Sequence, residues 1–203
     1  MRWLLHRFNC KPLGLIPPKR PWRNSLVLLL LFVLRTAGVK AQPLASLDAE
    51  YQLKAVFIFN FAQYVEWPPE AFSSDNSPIR IGVLGTNYFK NKLEETVHGE
   101  TVRNRHFEVM FYQRVDEIKE CHILFISRSE NARLGTILPS LKKRNILTIG
   151  ESDDFGSKGG IIQFVVRGNK IRFRIQRQAA KEANLNLSSK LVRLALNADE
   201  PPN

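Results

Sequence analysis

Cysteine is scarce in this sequence: Cys10 lies in a basic leader, and Cys121 is the only other one. A chain that loses its leader keeps one thiol, so no intramolecular disulfide framework can hold it and a buried core must. Long apolar runs are missing too. The longest, Ser25 to Leu34, has ten residues, far short of the roughly 20 that span a bilayer. Acid is absent from the start of the chain, with no Asp or Glu before Asp48 and eight Lys or Arg within the first 41 residues. The formal net charge of +11 therefore belongs mainly to the leader, because 22 basic and 19 acidic residues follow Ala41. A body that near neutrality excludes nucleic acid as the expected partner.

Motifs of catalysis are missing as well. There is no GxSxG elbow. Gly82 and Gly85 follow a strand and precede a helix, but the third glycine of a dinucleotide fingerprint and the lysine of a P-loop are absent. Only four histidines occur. His98 and His106 have no partner at helical spacing, and Cys121 and His122, adjacent on a strand, point to opposite faces. No catalytic residue, metal or other cofactor is expected.

What is present begins with the leader. A basic stretch to Arg23, the apolar run and "TAGVKAQP" have the three parts of a secretory signal. Small residues at Val39 and Ala41 place cleavage between Ala41 and Gln42. Residues 1–41 are then a signal peptide, and 42–203 one domain with its core at about 50–197, exported to the periplasm and not membrane-embedded after cleavage.

"AVFIFNFAQYVEWPP" reads as a buried helix, with Leu53, Val56, Phe57, Asn60, Phe61 and Tyr64 on its inner face. Ser46 or Asp48 would cap it, and Pro68 and Pro69 would stop it. Strands follow at 79–85, 106–113, 122–127 and 146–150, with helices at 87–97 and 131–145 between them. Thr86 or Asn87 caps the first of these. A hairpin turning at Gly168 and Asn169 comes next, then a helical piece ending at Asn184. Ser188 caps a last helix whose buried stripe is Leu191, Leu194 and Ala195, before a frayed tail, "ADEPPN". The expected fold is α/β: a three-layer α/β/α sandwich, mostly parallel, with a C-terminal antiparallel hairpin.

"FAQYVEWP", "IRIGVLG", "CHILFIS", "ILTIG" and "GGIIQFVVRGNKIRFRIQRQAAKEANLNLSSKLVRLA" together resemble the YfiR family of exported bacterial proteins, from Leu53 to Ala195. The resemblance implies an α/β sandwich acting as a periplasmic repressor of an inner-membrane diguanylate cyclase through that enzyme's periplasmic sensor domain. It would limit cyclic di-GMP and biofilm formation, with no catalysis of its own. A homodimer is left open. Two departures stand out: Cys121 matches a family cysteine whose partner is absent here, and Gln176 stands where the family pattern has Asn.

Interface hot spots favour aromatics and Arg, so Trp67, Phe155, Arg172 and Arg174 are the candidate partner-binding residues. Trp67 leaves the first helix as a surface anchor or else caps the core. Phe155 sits in a glycine-rich loop without an evident core partner, and Arg172 and Arg174 are either docking charges or a solvated strand face. The alternative is a periplasmic small-ligand-binding or enzymatic domain, its site at the carboxyl edge of the strands with Gly85, Thr86, Glu151 and Asp153. A tight turn and a solvated acidic loop are the favoured account of those four residues.

Overall fold

A computed structural model describes residues 43–168 and 170–196. The leader, its cleavage site, Asn169 of the hairpin turn and the tail Ala198–Asn203 lie outside the described residues. The first helix, α1 (Pro43–Tyr64), starts upstream of Ser46 and Asp48, so neither caps it. The Asp48 carboxylate instead accepts Lys92 at 2.8 Å. Its buried face is Tyr51, Lys54, Ala55, Ile58, Phe61 and Ala62, while Leu53 and Val56 face outward. The inner stripe is thus rotated from the one expected. Lys54 belongs to it because its ammonium finds a carboxylate on a distant loop, at Glu151.

The helix ends before the prolines can act. After Tyr64 the chain becomes a short strand, β1 (Val65–Glu66), paired antiparallel with Asn186–Leu187, and the Ser188 amide donates to the Tyr64 carbonyl at 2.9 Å. Pro69 then opens a single 3-10 turn, Pro69–Ala71.

The remaining elements are β2 (Ile79–Leu84), α2 (Lys92–Val97), β3 (Thr101–Val102), β4 (Arg105–Tyr112), β5 (Ile123–Ile126), α3 (Leu134–Ser140) and β6 (Leu147–Gly150). They are followed by β7 (Ile162–Arg167), β8 (Lys170–Ile175), α4 (Arg177–Glu182), β9 (Asn186–Leu187) and α5 (Ser189–Leu194). Seven strands form one mixed sheet in the order β3-β4-β2-β5-β6-β7-β8. It is parallel from β4 to β7 and antiparallel at both edges, β3–β4 and β7–β8. The chain is therefore α/β, and the expected C-terminal hairpin is β7–β8, registered from Ile162↔Ile175 to Arg167↔Lys170.

Alternation along the strands feeds an apolar cluster on each face of the sheet. Ile81, Val83, Ile123, Phe125 and Ile149 pack with α1, while Leu84, Leu124 and Ile126 pack with Leu134, Ile137 and Leu138 of α3. Burying both faces explains why "HILFIS" is apolar throughout.

Several boundaries differ from expectation for local reasons. Residues 87–91 are not helical, because the Asn87 carboxamide accepts the Phe89 and Lys90 amides at 3.0 and 3.1 Å and Lys90 takes φ 55°. Residues 128–133 are 3-10 turns, and α3 is confined to Leu134–Ser140. Asn184 ends α4 with φ 54°, and Ser188 Oγ accepts the Lys190 amide, both as expected. Of the expected stripe in α5, Leu191 alone is buried. That helix is six residues long, and Leu194, its last residue, is left outside the core.

Candidate functional site

The carboxyl ends of the parallel strands hold the residues considered for a ligand. Glu151, next after β6, is buried rather than solvated. Its carboxylate accepts the Tyr51 hydroxyl at 2.7 Å and Arg128 Nε at 3.2 Å, and pairs with the Lys54 ammonium. Lys54 also pairs with Glu50 one helical turn earlier. Two cations and two carboxylates close on themselves, and burial together with the Glu151 contact pushes the Tyr51 phenol well above its usual range. Such a cluster fastens α1 to the sheet, since each buried charge has a partner.

Gly85 lies at the end of β2 with φ 89°, and a Cβ there would sit 2.8 Å from Glu130 Cγ. The Thr86 amide donates to Ser129 Oγ at 3.0 Å. Thr86 and Asp153 are exposed. The Asp153 carbonyl, not its carboxylate, accepts from Gln163 at 3.1 Å. Glu151 is thus engaged by protein groups, and the Gly85 turn is packed by Ser129 and Glu130.

Phe155 corrects the expectation of a mobile loop without a core partner. It is 1% exposed and joins the cluster that includes Leu84 and Leu138. Gly150 and Gly160 flank its ring, and a Cβ on either would overlap it. Those glycines, read as signs of mobility, are the space the ring needs.

Trp67 is likewise buried rather than an anchor on the surface. Its indole N–H donates to the His122 carbonyl at 3.2 Å. His122 is itself enclosed: Nδ1 accepts the Arg80 amide at 3.0 Å, which leaves the proton on Nε2 to be donated to the Ala71 carbonyl at 3.0 Å. Desolvation brings its pKa down to about 4. Cys121 points to the other face, donating to the Ile123 carbonyl at 3.0 Å, and burial raises its thiol to about 12. The two side chains share no site, as expected from their adjacency.

The charged strand face leads to a surface of a different kind. Arg172 lines an open groove of about 830 Å³ between α1 and the β7–β8 hairpin. Its apolar lining is Ala49, Leu53, Val166 and Ile171, Lys170 and Arg172 supply positive charge, and Glu50, already paired with Lys54, is the one carboxylate on its wall. Leu53 is 45% and Val166 58% exposed. Arg174 does not line it: half-buried on β8, it leaves its Nε without a hydrogen bond.

Leu53, Val166 and Ile171 escape sequence reasoning because each fits the apolar phase of a helix or strand. Leu53 and Val166 are nevertheless exposed, and Ile171 is half-buried against the core. Among the described residues no group of His, Cys, Asp and Glu could hold a metal ion, and no helix is long and apolar enough to cross a membrane.

No curated protein matches the chain by sequence. The YfiR/HmsC-like family profile matches residues 51–196, which runs from Tyr51 of the buried ion cluster to Leu196 beside β8. Nearly the whole described fold is covered, and the chain belongs to the YfiR/HmsC-like family.

Proposed function

We propose that this is a periplasmic, non-catalytic regulator of cyclic di-GMP signalling that binds and represses the periplasmic sensor domain of an inner-membrane diguanylate cyclase. Family membership over residues 51–196 is the observation that carries it. The scaffold is a three-layer α/β/α sandwich, residues 42–203 as one domain, released by cleavage after Ala41.

The α1–hairpin groove is the docking surface. Its outward Leu53 and Val166, with half-buried Ile171 between them and the core, supply apolar area for a partner to cover, and Lys170 and Arg172 set orientation against an acidic rim. Arg172, on the wall of this groove, is the partner-binding candidate assigned to it. Trp67 and Phe155, buried in the core, are left out of the contact, and Arg174 contributes charge from β8.

The test is calorimetry of the purified protein with the isolated periplasmic domains of the host's membrane diguanylate cyclases. Wild type binds one of them, and Leu53→Glu or Arg172→Glu weakens that affinity at least about tenfold, the effect of roughly 1.4 kcal/mol. Equal affinity of both variants for a domain that wild type binds would move the interface elsewhere.

A further inference from the structure

Charge is segregated along the folded body. Between Leu47 and Arg167 many Lys and Arg meet carboxylates, among them Lys54, Arg80, Lys92, Arg114, Arg133 and Lys158. From Lys170 to Leu196 the sequence holds seven Lys or Arg and one acid, Glu182. Glu182 is engaged by Lys142 and Gln178. Among the described residues none of the seven has a carboxylate partner.

Three of them converge. Arg177 and Lys181 of α4 and Arg193 of α5 line an open groove of about 350 Å³, together with apolar Leu185, Leu187 and Val192. Asn186 and Ser189 also line it, and the Asn186 side-chain amide donates to the Glu66 carboxylate at 2.8 Å. Lys190 stands exposed on the same short helix. So does Leu194, which at 64% is the most exposed large apolar side chain of the described body.

Cations concentrated without counter-charge, beside a bare leucine, match the demands of a lipid interface. Phosphates satisfy the cations, and the headgroup–acyl boundary takes the leucine. An acidic protein would satisfy the cations equally, but the groove's apolar lining is Leu185, Leu187 and Val192, with no aromatic side chain to form the centre of a protein hot spot.

We propose that the α4–β9–α5 end docks on anionic phospholipid, with a headgroup phosphate held by Arg177, Lys181 and Arg193 and Leu194 inserted at the acyl boundary. Guanidinium groups offer paired N–H donors to such a phosphate. The proposal rests on the function given above, because a membrane-bound partner is what keeps the protein within a Debye length, ~8 Å, of the bilayer. Docking there would raise the local concentration at the partner without any contact to it.

The test is vesicle sedimentation with the protein purified as the host processes it and no cyclase in the assay. Phosphatidylglycerol-containing vesicles are compared with phosphatidylcholine alone. Wild type sediments with the former only, and high salt releases it. The triple variant R177Q/K181Q/R193Q loses on the order of a hundred-fold in partitioning, with an unchanged melting temperature because the three side chains are exposed. Leu194→Ala weakens binding in a manner that salt does not alter.

Equal partitioning of wild type and the triple variant would overturn the proposal, as would no sedimentation with anionic vesicles. So would saturable binding of free glycerophosphate without vesicle binding, which would assign the groove to a soluble phosphate compound. Sedimentation that needs an added cyclase periplasmic domain would assign it to protein. Should the triple variant not fold, the salt response of wild type and the behaviour of Leu194→Ala decide. None of these results bears on repression of the cyclase, so a failure here leaves the proposed function to its own test.

Discussion

Lys54 shows how far one side chain's environment depends on residues remote from it. Its ammonium is enclosed against Glu151, almost a hundred positions later, and removing it leaves a buried carboxylate undercompensated. Lys54→Met should therefore lower stability by about 3 kcal/mol in urea unfolding; a loss below about 0.5 kcal/mol would show the pair to be dispensable. His122 makes a pH prediction whose sign follows from its lowered pKa. The unfolded imidazole takes up a proton that the enclosed ring refuses, so the stability it supplies is complete above about pH 6.5 and is lost as pH falls towards about 4. Between about pH 7 and pH 5 the loss amounts to about 2 kcal/mol, checked by urea titrations at each pH beside an NMR titration of the ring. A ring that titrates near its free value would contradict the enclosure. Cys121, buried with a raised pKa, should react with a thiol reagent only at the rate of unfolding; rapid labelling of the native protein would contradict that.

At the scale of elements, the loop from Glu151 to Gly160 is a packed structure whose glycines make room for Phe155. Gly160→Ala should cost about 2 kcal/mol or more, because the new methyl group would force the ring out of its site, and thermal unfolding of the variant measures it. The alternation of strand and helix was legible from apolar spacing and turn residues, down to the Ser188 cap and the left-handed Asn184. What remained hidden required long-range pairing. The two-residue strands β1 and β9 stabilise each other across the chain, and neither has a local signal strong enough to stand alone. The phase of α1 is not the expected one because a lysine on its inner face contradicts local polarity, and the distant Glu151, with Glu50, makes that placement favourable. For the same reason the groove was illegible: Leu53 looked like core until the helix was set on the sheet. The charged face of β8 was visible in its alternation, and Arg172 alone of the four partner-binding candidates proves to line that groove.

The whole molecule combines an α/β body with two unlike surfaces, an apolar groove with positive charge between α1 and the hairpin and a basic end at α4–β9–α5. The proposed export makes its own prediction: the recovered protein should begin at Gln42, and N-terminal sequencing of the periplasmic fraction checks it. A retained Met1 in the membrane fraction would contradict cleavage. On the proposals made above the groove meets a protein and the basic end a lipid surface, so Leu53→Glu should abolish repression without changing vesicle binding. The most direct test of regulation is the cyclic di-GMP content of host cells that carry the gene, lack it, or carry Leu53→Glu. Loss of the gene should raise the nucleotide, wild type should restore the low level, and Leu53→Glu should leave it high although the folded protein accumulates in the periplasm. An unchanged cyclic di-GMP content in cells lacking the gene, with the membrane diguanylate cyclases expressed, would contradict the regulatory role itself.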